Sequence, residues 1–419
     1  MTDLVELEKQ LLWHPFTPMQ AWCAQDHEPL LLTSAQGCKL VDQHGRSYLD
    51  GNSSIWTNIH GHNHPTINAS IKNQLGKVAH TSFLGFSHEP AIQLAEKLIG
   101  LLPNSPLKRV FYSDNGSTAI ECAVRMALQY WKQNGHPKRD TIVSFDRAYH
   151  GDTLGAASLG GIPLFKGSGN DFGYPTQRVS NLDVLQSMDT QQTEHLAAVI
   201  IEPLIQGSAG MQLWPRGMLS ALSSWCQKRN IFLILDEVMT GFGRTGTMFA
   251  CQQEEVSPDF LCLAKGFTGG YLPMAATLTT TRVFDGFQDT DKTFYYGHSY
   301  TGSQLGCAAA LGNLQVFEEE RTLDSLPSKI EHLRNELDRL SKKASVREVR
   351  QCGLIAGIEL SPPSMIEAWG AKICLQARKH GLLTRPIGNT VVLMPPLATS
   401  LKEISEMVEA IALSLDDLA

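Results

Sequence analysis

An aspartate and a lysine, each directly after an apolar run, are the residues of this chain best suited to chemistry. Asp236 follows the run 231–235, and Lys265, 29 residues later (265 − 236), follows the run DFLCLA. An acid and a lysine at the ends of two buried strands are what a pyridoxal phosphate enzyme requires. The lysine can hold the cofactor as a Schiff base, and the acid can keep its pyridine nitrogen protonated. The pair therefore predicts a pyridoxal phosphate site.

A helix start rich in small polar residues is the predicted phosphate cradle. The sequence NGST at 115–118 precedes apolar residues at helical spacing that continue to Gly135. Free N–H groups and the helix dipole favour an anion at such a start, and Gly116 permits close approach. Ser117 or Asn115 could instead merely cap the helix. Beside Asp236 and Lys265, the phosphate interpretation is favoured.

Further polar and aromatic residues follow other predicted strands. Tyr149, in YHGD, could stack on the cofactor ring, and Asp152 could orient its neighbours, although such a motif can also be only a turn. Val238 could press on the opposite face of the ring or be a simple core valine. Glu202 needs a partner if it is buried, and Gln206 could reach a cofactor hydroxyl.

Two arginines are candidates for binding a substrate carboxylate. Arg385 lies in LLTRPIGN, and Arg244 lies in GFGRTG. A guanidinium group pairs with a carboxylate through two parallel hydrogen bonds, which a lysine cannot reproduce. The neighbouring proline and glycines indicate constrained backbone at both positions, and Arg385 is the stronger candidate.

Three alternating histidines offer a competing interpretation. His60, His62 and His64 on a strand would face one side and could bind zinc, as in a metal-dependent hydrolase. The segment contains Gly61 and runs into a proline, so a turn is predicted. No acidic or cysteine cluster with ligand spacing accompanies it, so the predicted site has no metal.

The elements that must position these residues form an alternating pattern. Strands are predicted at 109–112, 141–145, 198–201, 231–235 and 260–263, with helical patterns between them, which is typical of a parallel α/β sheet. Ligands of such sheets bind at the carboxyl ends of the strands. We expect a large domain at 61–314 and a smaller one formed by 1–60 together with 315–419.

Composition limits the alternatives. The 419 residues are 42% hydrophobic and 18% charged, with a net charge of −7, so neither nucleic acid nor an anionic membrane is an expected partner. The nine cysteines are scattered and include no CxxC pair, which favours reduced thiols in the cytoplasm. The polar start MTDLVELEKQ does not resemble a secretory signal.

Along almost its whole length the chain resembles the class III (subgroup II) aminotransferases, which are fold type I pyridoxal phosphate enzymes. The motifs that carry the resemblance are YHGDTLGA, IIEPLIQG, DEVMTGFGRTG, LCLAKGFTGG and GHSYTGSQLGCAAA. WHPFTPM and TRPIGN resemble more narrowly the branch that converts 8-amino-7-oxononanoate to 7,8-diaminononanoate in biotin synthesis. The resemblance implies a mostly parallel central sheet in a large α/β domain and a smaller α+β domain from both termini.

The resemblance also assigns roles to individual residues. Lys265 resembles the Schiff-base lysine and Asp236 the partner of the pyridine nitrogen. The remaining matches are the phosphate cup (Gly116, Ser117), the stacking tyrosine (Tyr149), the carboxylate-binding arginine (Arg385), the substrate pocket (Trp56) and a hydroxyl lent to the phosphate of a partner subunit (Ser299). A homodimer with shared active sites is therefore implied.

Three departures from the adenosylmethionine-using members concern the amino donor. Phe16 replaces a tyrosine, Ile55 replaces a tryptophan, and Gly297-His298-Ser299 replaces GPT. PFT, SSxW and GHSYTG resemble instead the members that take the amino group from lysine, so lysine is slightly favoured over adenosylmethionine. Another class III ω-amino acid aminotransferase and a catalytically silent binding protein on the same fold are the remaining alternatives.

Overall fold

A computed structural model describes residues 3–165, 173–362 and 368–418. The helices among them are α1 (Leu4–Leu11), α2 (Met19–Trp22), α3 (Ser53–Trp56), α4 (Pro65–Leu75), α5 (Glu89–Gly100), α6 (Gly116–Gln133), α7 (Leu154–Leu159), α8 (Leu182–Gln186), α9 (Thr190–Thr193), α10 (Met218–Arg229), α11 (Thr281–Asp285), α12 (Gln304–Glu319), α13 (Leu326–Leu340), α14 (Trp369–Lys379) and α15 (Leu401–Asp417). The strands are β1 (Leu32–Gln36), β2 (Lys39–Asp42), β3 (Ser47–Asp50), β4 (Leu107–Ser113), β5 (Thr141–Phe145), β6 (Thr176–Val179), β7 (Leu196–Ile201), β8 (Ile205–Gln206), β9 (Gln212–Leu213), β10 (Phe232–Asp236), β11 (Phe260–Leu263), β12 (Ala275–Thr280), β13 (Val346–Cys352), β14 (Ile355–Leu360), β15 (Leu382–Leu383), β16 (Pro386–Ile387) and β17 (Thr390–Leu393).

The central sheet has seven strands in the order β4-β12-β11-β10-β7-β5-β6. Strands β11, β10, β7, β5 and β6 run parallel, and β12 is antiparallel to both of its neighbours. Strands β7 and β10 are buried along their whole length, as expected when helices cover both faces of a sheet. The predicted α/β fold with a mostly parallel sheet is therefore confirmed.

The agreement with the predicted strands is close. Strands β5 and β11 have the predicted bounds, and the other three predicted strands differ from β4, β7 and β10 by at most two residues at an end. The prediction did not include β12, AATLTT, whose alanines and threonines are buried against α6 and the neighbouring strands.

The first turn of helix α6 is fixed by a local cap. Asn115 accepts a hydrogen bond from the Thr118 N–H (3.0 Å), and the Thr118 hydroxyl accepts one from the Asn115 N–H (3.2 Å), which together form a capping box. The apolar face of the helix, from Ala119 to Trp131, is buried. The helix ends before Gly135, which has a φ of +89°.

The N- and C-terminal parts of the chain share a sheet. Strand β15 pairs in parallel with β3, and β1, β2 and β3 form an antiparallel unit with a turn at His44-Gly45. A second sheet has the order β13-β14-β17-β16. This pairing supports a joint domain of the two terminal parts, whereas the boundaries at 60 and 315 stay predictions. Among the described helices, none is long and apolar enough to cross a membrane.

Candidate active site

Asp236 and Lys265 lie at the same edge of the central sheet. Asp236 ends β10 and is opposite Cys262 of the parallel neighbour β11, and Lys265 follows β11 after a single residue. Because both strands run in the same direction, their carboxyl ends meet at one edge. The prediction that the two residues lie at the ends of two buried strands is confirmed, and the structure adds that these strands are neighbours.

The carboxylate of Asp236 is oriented by a buried histidine. His150 Nδ1 lies 2.7 Å from Asp236 Oδ2, and the Val238 N–H donates to Asp236 Oδ1 at 3.1 Å. Both Asp236 and His150 are at most 5% exposed. His150 was only part of the YHGD motif at the sequence level; its place next to the predicted stacking tyrosine was the available signal.

The amino group of Lys265 is in a position that disfavours its charge. Burial lowers the pKa of Lys265 to about 8, and the negative charges of Asp236 and Glu202 oppose that reduction. Its Nζ atom lies 4.5 Å from the centroid of the Trp56 indole, and no hydrogen bond joins it to another described residue. A larger share of neutral amine at neutral pH is what a nucleophile or a proton carrier needs.

The first turn of α6 is the segment for which the sequence predicts a phosphate cradle. Gly116 and Ser117 have no helical partner for their N–H groups because they begin the helix. The Ser117 hydroxyl accepts a hydrogen bond from the Asp152 N–H at 3.1 Å. A Cβ atom at Gly116 would lie 2.7 Å from Val238 Cγ1, so Val238 packs directly against this turn and excludes a side chain there.

Glu202 directly follows β7, and Tyr149 lies in the loop after β5. The Tyr149 hydroxyl donates to Asp152 Oδ2 at 2.8 Å, and its N–H donates to Glu202 Oε1 at 3.1 Å. Burial raises the pKa of Glu202 to about 7, although the His150 charge and two backbone N–H groups oppose the rise. Gln206 donates to the Asp146 carbonyl at 3.0 Å, which fixes its amide beside the same strand ends.

Trp56 reaches Lys265 from a left-handed turn. In α3 the four residues Ser53, Ser54, Ile55 and Trp56 have φ values of 45°, 52°, 81° and 68°. None is a glycine, and each non-glycine residue in this region costs roughly 1–2 kcal/mol. Such a turn persists only where surrounding contacts require it.

Phe16 belongs to a row of aromatic side chains that ends at the predicted stacking tyrosine. Phe16 packs edge-on against Phe165 with 5.7 Å between ring centroids, and Phe165 packs edge-on against Tyr149 at 5.4 Å. Phe16 is 64% exposed and Ile55 is 41% exposed. Phe165, which the sequence prediction did not include, thus links Phe16 to the site.

The two candidate arginines differ in their surroundings. Arg244 is buried, and its Nη atoms donate to the Pro395 carbonyl at 2.7 Å and the Asn58 carbonyl at 2.6 Å. Burial lowers the pKa of Arg244 to about 9. Arg385 is exposed between β15 and β16. The geometry favours a structural role for Arg244 and leaves the Arg385 guanidinium accessible.

The three histidines have separate environments. His62 Nε2 lies 2.9 Å from Asp50 Oδ2, His64 Nε2 lies 2.9 Å from Glu320 Oε1, and His60 packs edge-on against Phe317. No group of three or more potential metal ligands occurs in the described parts of the chain. The predicted turn is confirmed, since His60 to His64 includes no strand.

The GHS segment lies at the surface near the start of α6. Gly297 and Ser299 are exposed, and the intervening His298 has its Nε2 atom 3.6 Å from Asp114 Oδ1. Tyr296 donates to the Thr118 carbonyl at 3.3 Å. The segment is therefore fixed beside the cradle while the Ser299 side chain faces outward.

The residues at the sheet edge fit pyridoxal phosphate. A buried carboxylate suits a pyridinium N–H, a partly buried amine without a hydrogen bond to other described residues suits a carbonyl carbon, and free helix N–H groups suit a phosphate. Asp236, Lys265 and the Gly116–Ser117 pair supply these three features. His150 Nε2, buried without a hydrogen-bond partner among the described residues, adds a further polar atom next to Asp236.

Comparison with known proteins gives consistent matches. The family model "Aminotransferase class-III" matches residues 22–415. An adenosylmethionine-8-amino-7-oxononanoate aminotransferase from Nitratidesulfovibrio vulgaris is 44% identical over 97% of this chain and 80% of its own length. The crystal structure of the Methanocaldococcus jannaschii protein of the same name has a TM-score of 0.95, 38% identity and coverage of 99% and 98%. An amine transaminase from an uncultivated Pseudomonas species, in its PLP-bound form, has a TM-score of 0.90, 30% identity and coverage of 98% and 99%.

Proposed function

Because the chain belongs to the class-III aminotransferase family, we propose that it transfers an amino group to 8-amino-7-oxononanoate and forms 7,8-diaminononanoate in biotin synthesis. It is a pyridoxal phosphate-dependent enzyme. The observation that carries the proposal is the arrangement of Asp236, paired with His150, and Lys265 at adjacent strand ends. The substrate is supported by two relatives, both adenosylmethionine-8-amino-7-oxononanoate aminotransferases, that are 41–44% identical over nearly the whole chain.

Pyridoxal phosphate, when bound, supplies a carbonyl carbon that accepts the amino group and a ring that stabilises negative charge on the substrate carbon. Lys265 is the residue that would hold the cofactor and then carry the proton at its Nζ atom, since its lowered pKa leaves neutral amine available near neutral pH. Gly116 and Ser117 would bind the phosphate through their N–H groups.

Asp236 would keep a proton on the ring nitrogen. The 2.7 Å contact with His150 and the Val238 N–H fix both carboxylate oxygens. Tyr149 and Val238 are the residues proposed to contact the two faces of the ring. Burial excludes water from the Asp236–His150 pair, which strengthens its interaction with a positive ring.

Arg385 is the residue proposed to bind the substrate carboxylate. Its exposed guanidinium lies on the short segment between β15 and β16, whereas the Nη atoms of Arg244 are already bonded to backbone carbonyls. Trp56 and Ile55 are proposed to line the substrate pocket, because their turn lies over Lys265.

Lysine is the proposed amino donor, and adenosylmethionine, which appears in the names of the relatives, is the alternative donor. Phe16 and Ile55 support lysine because each lacks the larger or hydroxylated side chain of the adenosylmethionine-using members. Phe16 packs against Phe165, and Phe165 packs against Tyr149, the tyrosine proposed to contact the ring. One intervening aromatic side chain therefore separates Phe16 from Tyr149.

A homodimer with shared active sites is part of the proposal. The segments 80–86 and 295–300 carry large apolar side chains at the surface, namely Leu84, Phe86, Tyr295 and Tyr300. The two segments contact each other at the rings of Tyr300 and His80, whose centroids are 4.5 Å apart. An exposed apolar patch of this kind is typical of an interface. Ser299, next to Tyr300, is then the residue proposed to reach the phosphate of the partner subunit. Light scattering would test the dimer directly.

A cytoplasmic location is proposed from the cysteines. All nine are free thiols, and most are buried. Free thiols persist in a reducing compartment.

The decisive experiment mixes the purified protein with 8-amino-7-oxononanoate and, separately, with lysine or adenosylmethionine. Formation of 7,8-diaminononanoate, detected by mass spectrometry, is expected with lysine. Product formed only with adenosylmethionine would agree with the proposed conversion but would refute lysine as the amino donor. If neither donor gives product, 8-amino-7-oxononanoate is not the amino acceptor. The control is Lys265→Ala, which should abolish turnover while the protein stays folded.

A second candidate is an ω-amino acid aminotransferase with a different acceptor. It is favoured by the ω-transaminase of Thermomicrobium roseum, whose structure has a TM-score of 0.93 at 30% identity. Pyruvate as acceptor with simple ω-amines as donors would expose this activity in the same assay.

A further inference from the structure

The central histidine of the HGHNH motif takes part in a hydrogen-bond network that leads toward Lys265. His62 Nε2 lies 2.9 Å from Asp50 Oδ2, and His62 Nδ1 lies 3.3 Å from Asn58 Nδ2. Asn58 Oδ1 accepts the Gly61 N–H at 2.7 Å, so the amide orientation of Asn58 is fixed with its NH2 toward His62. His62 Nδ1 therefore accepts, and its Nε2–H donates to Asp50.

Asp50 connects His62 to the left-handed turn α3 through hydrogen bonds. Its buried carboxylate accepts hydrogen bonds from the Ser54 N–H (2.9 Å), the Ser54 hydroxyl (2.8 Å) and the Asn52 N–H (3.3 Å) besides His62. Burial raises the pKa of Asp50, but the hydrogen bonds from His62 and Ser54 outweigh burial and leave the pKa below its usual value. The Asp50 carboxylate therefore accepts hydrogen bonds at both of its oxygen atoms.

The turn α3 needs these contacts. Its four residues have positive φ values without a glycine among them, and Ile55 is β-branched, which makes that conformation especially unfavourable. On its other side the Ser53 hydroxyl donates to the Met394 carbonyl at 2.7 Å. Asp50 and Met394 therefore fix the turn from two directions.

The side chain that the turn presents to the site is Trp56. Its Nε1–H donates to Asn52 Oδ1 at 2.9 Å, and its ring lies 4.5 Å from Lys265 Nζ. On another side, Trp56 lies close to Gly207, where a Cβ atom would be 3.5 Å from Trp56 Cζ3. A rotation of the turn would move the indole away from the lysine.

We propose that Asp50 and His62 are positioning residues that hold the left-handed turn α3, and thereby fix Trp56 over Lys265 and set the affinity of the pocket for its amine and oxo-acid substrates. Both residues would act through the turn and not by direct contact with a substrate. The kinetic part rests on the proposed transamination; the placement of Trp56 does not.

Two substitutions at one position separate the hydrogen bond from general packing. In the holoenzyme, His62→Leu removes the donor to Asp50, whereas His62→Gln can place its amide N–H where the imidazole Nε2–H was. We expect His62→Leu to raise KM for donor and acceptor about 10-fold, or about 1.4 kcal/mol, with kcat changed less than about threefold. His62→Gln should stay within about twofold of the unsubstituted enzyme. The control is His64→Leu, which loses a contact with exposed Glu320 and the packing against His60 but no bond to Asp50, and should change neither constant.

The second measurement does not depend on turnover. Acrylamide quenching of Trp56 is obtained as the difference between each protein and its Trp56→Phe counterpart, and it should increase in His62→Leu and not in His62→Gln. Ser54→Ala removes one hydrogen bond to Asp50 at an exposed residue and should also raise KM and increase the quenching of Trp56. This variant replaces His62→Leu if His62→Leu does not fold.

The outcomes are distinct. Unchanged KM and unchanged quenching in His62→Leu and Ser54→Ala would overturn the proposal, as would equal losses in His62→Gln and His62→Leu. If no amine or oxo-acid is converted even by the unsubstituted enzyme, the proposed function fails, and the quenching comparison alone decides the role of Asp50 and His62.

Discussion

Replacing Lys265 by methionine should make the cofactor-free protein more stable. The pKa of Lys265 falls from 10.5 to about 8 on folding because the amine is buried. This lowering of the pKa corresponds to a cost of roughly 3 kcal/mol for keeping the folded lysine charged at pH 7. Partial exposure and the Trp56 ring reduce that cost, so we expect Lys265→Met to gain about 2 kcal/mol.

The gain depends on pH with a definite sign. Below pH 8 the lysine is protonated in both states, and the folded protein bears the whole cost. Between pH 8 and 10.5 the folded lysine loses its proton while the unfolded lysine keeps it, so the stability of the unsubstituted protein rises with pH. The advantage of Lys265→Met should therefore be full at pH 7 and shrink steadily above pH 8.

Urea unfolding of both cofactor-free proteins at pH 7 and pH 9.5 measures this difference. Lys265→Arg is the matched control, because it keeps a long charged side chain and should give no gain. A Lys265→Met protein that is no more stable than the unsubstituted one at pH 7, or whose advantage grows with pH, would refute the assignment of a buried, destabilised amine.

Three further substitutions test the site. Asp236→Asn should retain the cofactor but slow proton abstraction by roughly 10²-fold or more, measured by single-turnover absorbance, because the ring loses its charged partner. Gly116→Ala should weaken cofactor binding roughly 10-fold in a fluorescence titration, since the added methyl would lie 2.7 Å from Val238 Cγ1, and in a Val238→Ala background the same substitution should have little effect. Arg385→Gln should raise KM for the oxo-acid roughly 10- to 100-fold with kcat little changed, since a charged hydrogen bond contributes about 1.5–3 kcal/mol.

Each of these expectations can be contradicted. An unchanged rate in Asp236→Asn would mean that another group faces the ring nitrogen. An equal loss of affinity from Gly116→Ala with and without Val238→Ala would show that the clash is not with Val238. For Arg385, the control is Lys379→Gln at the exposed end of α14; equal KM values in the two variants would remove Arg385 from the substrate site.

The residues at the sheet edge could be predicted because their signals are local. Asp236 and Lys265 directly follow apolar runs, and strand ends of a parallel sheet converge whatever the rest of the chain does. The first turn of α6 could be predicted for the same reason, since Asn115 and Thr118 are three residues apart and form a local cap. Such features need only neighbouring residues.

The remaining features depend on contacts between distant residues. Nothing in the letters SSIW indicates a left-handed turn, because the bonds that stabilise it come from Asp50 and from Met394, which is 341 residues away from Ser53. The glycines around Arg244 correctly indicated a constrained position but not its carbonyl partners at Asn58 and Pro395. The interpretation as a carboxylate site rested on residue type alone.

The parallel pairing of β15 with β3 has a consequence for the synthesis of the chain. Leu382 pairs with Leu49, so 333 residues (382 − 49) separate the two partners. The N-terminal strands emerge from the ribosome first but cannot complete their sheet until nearly the whole chain has been made. Asp50 follows Leu49 directly, and Ser53 bonds to Met394, so the turn that carries Trp56 also waits for the last fifth of the chain. The Asp236–Lys265 edge lies in the central segment, so a nascent chain that ends before residue 382 would contain the proposed cofactor residues but could not yet complete the turn of the proposed substrate pocket.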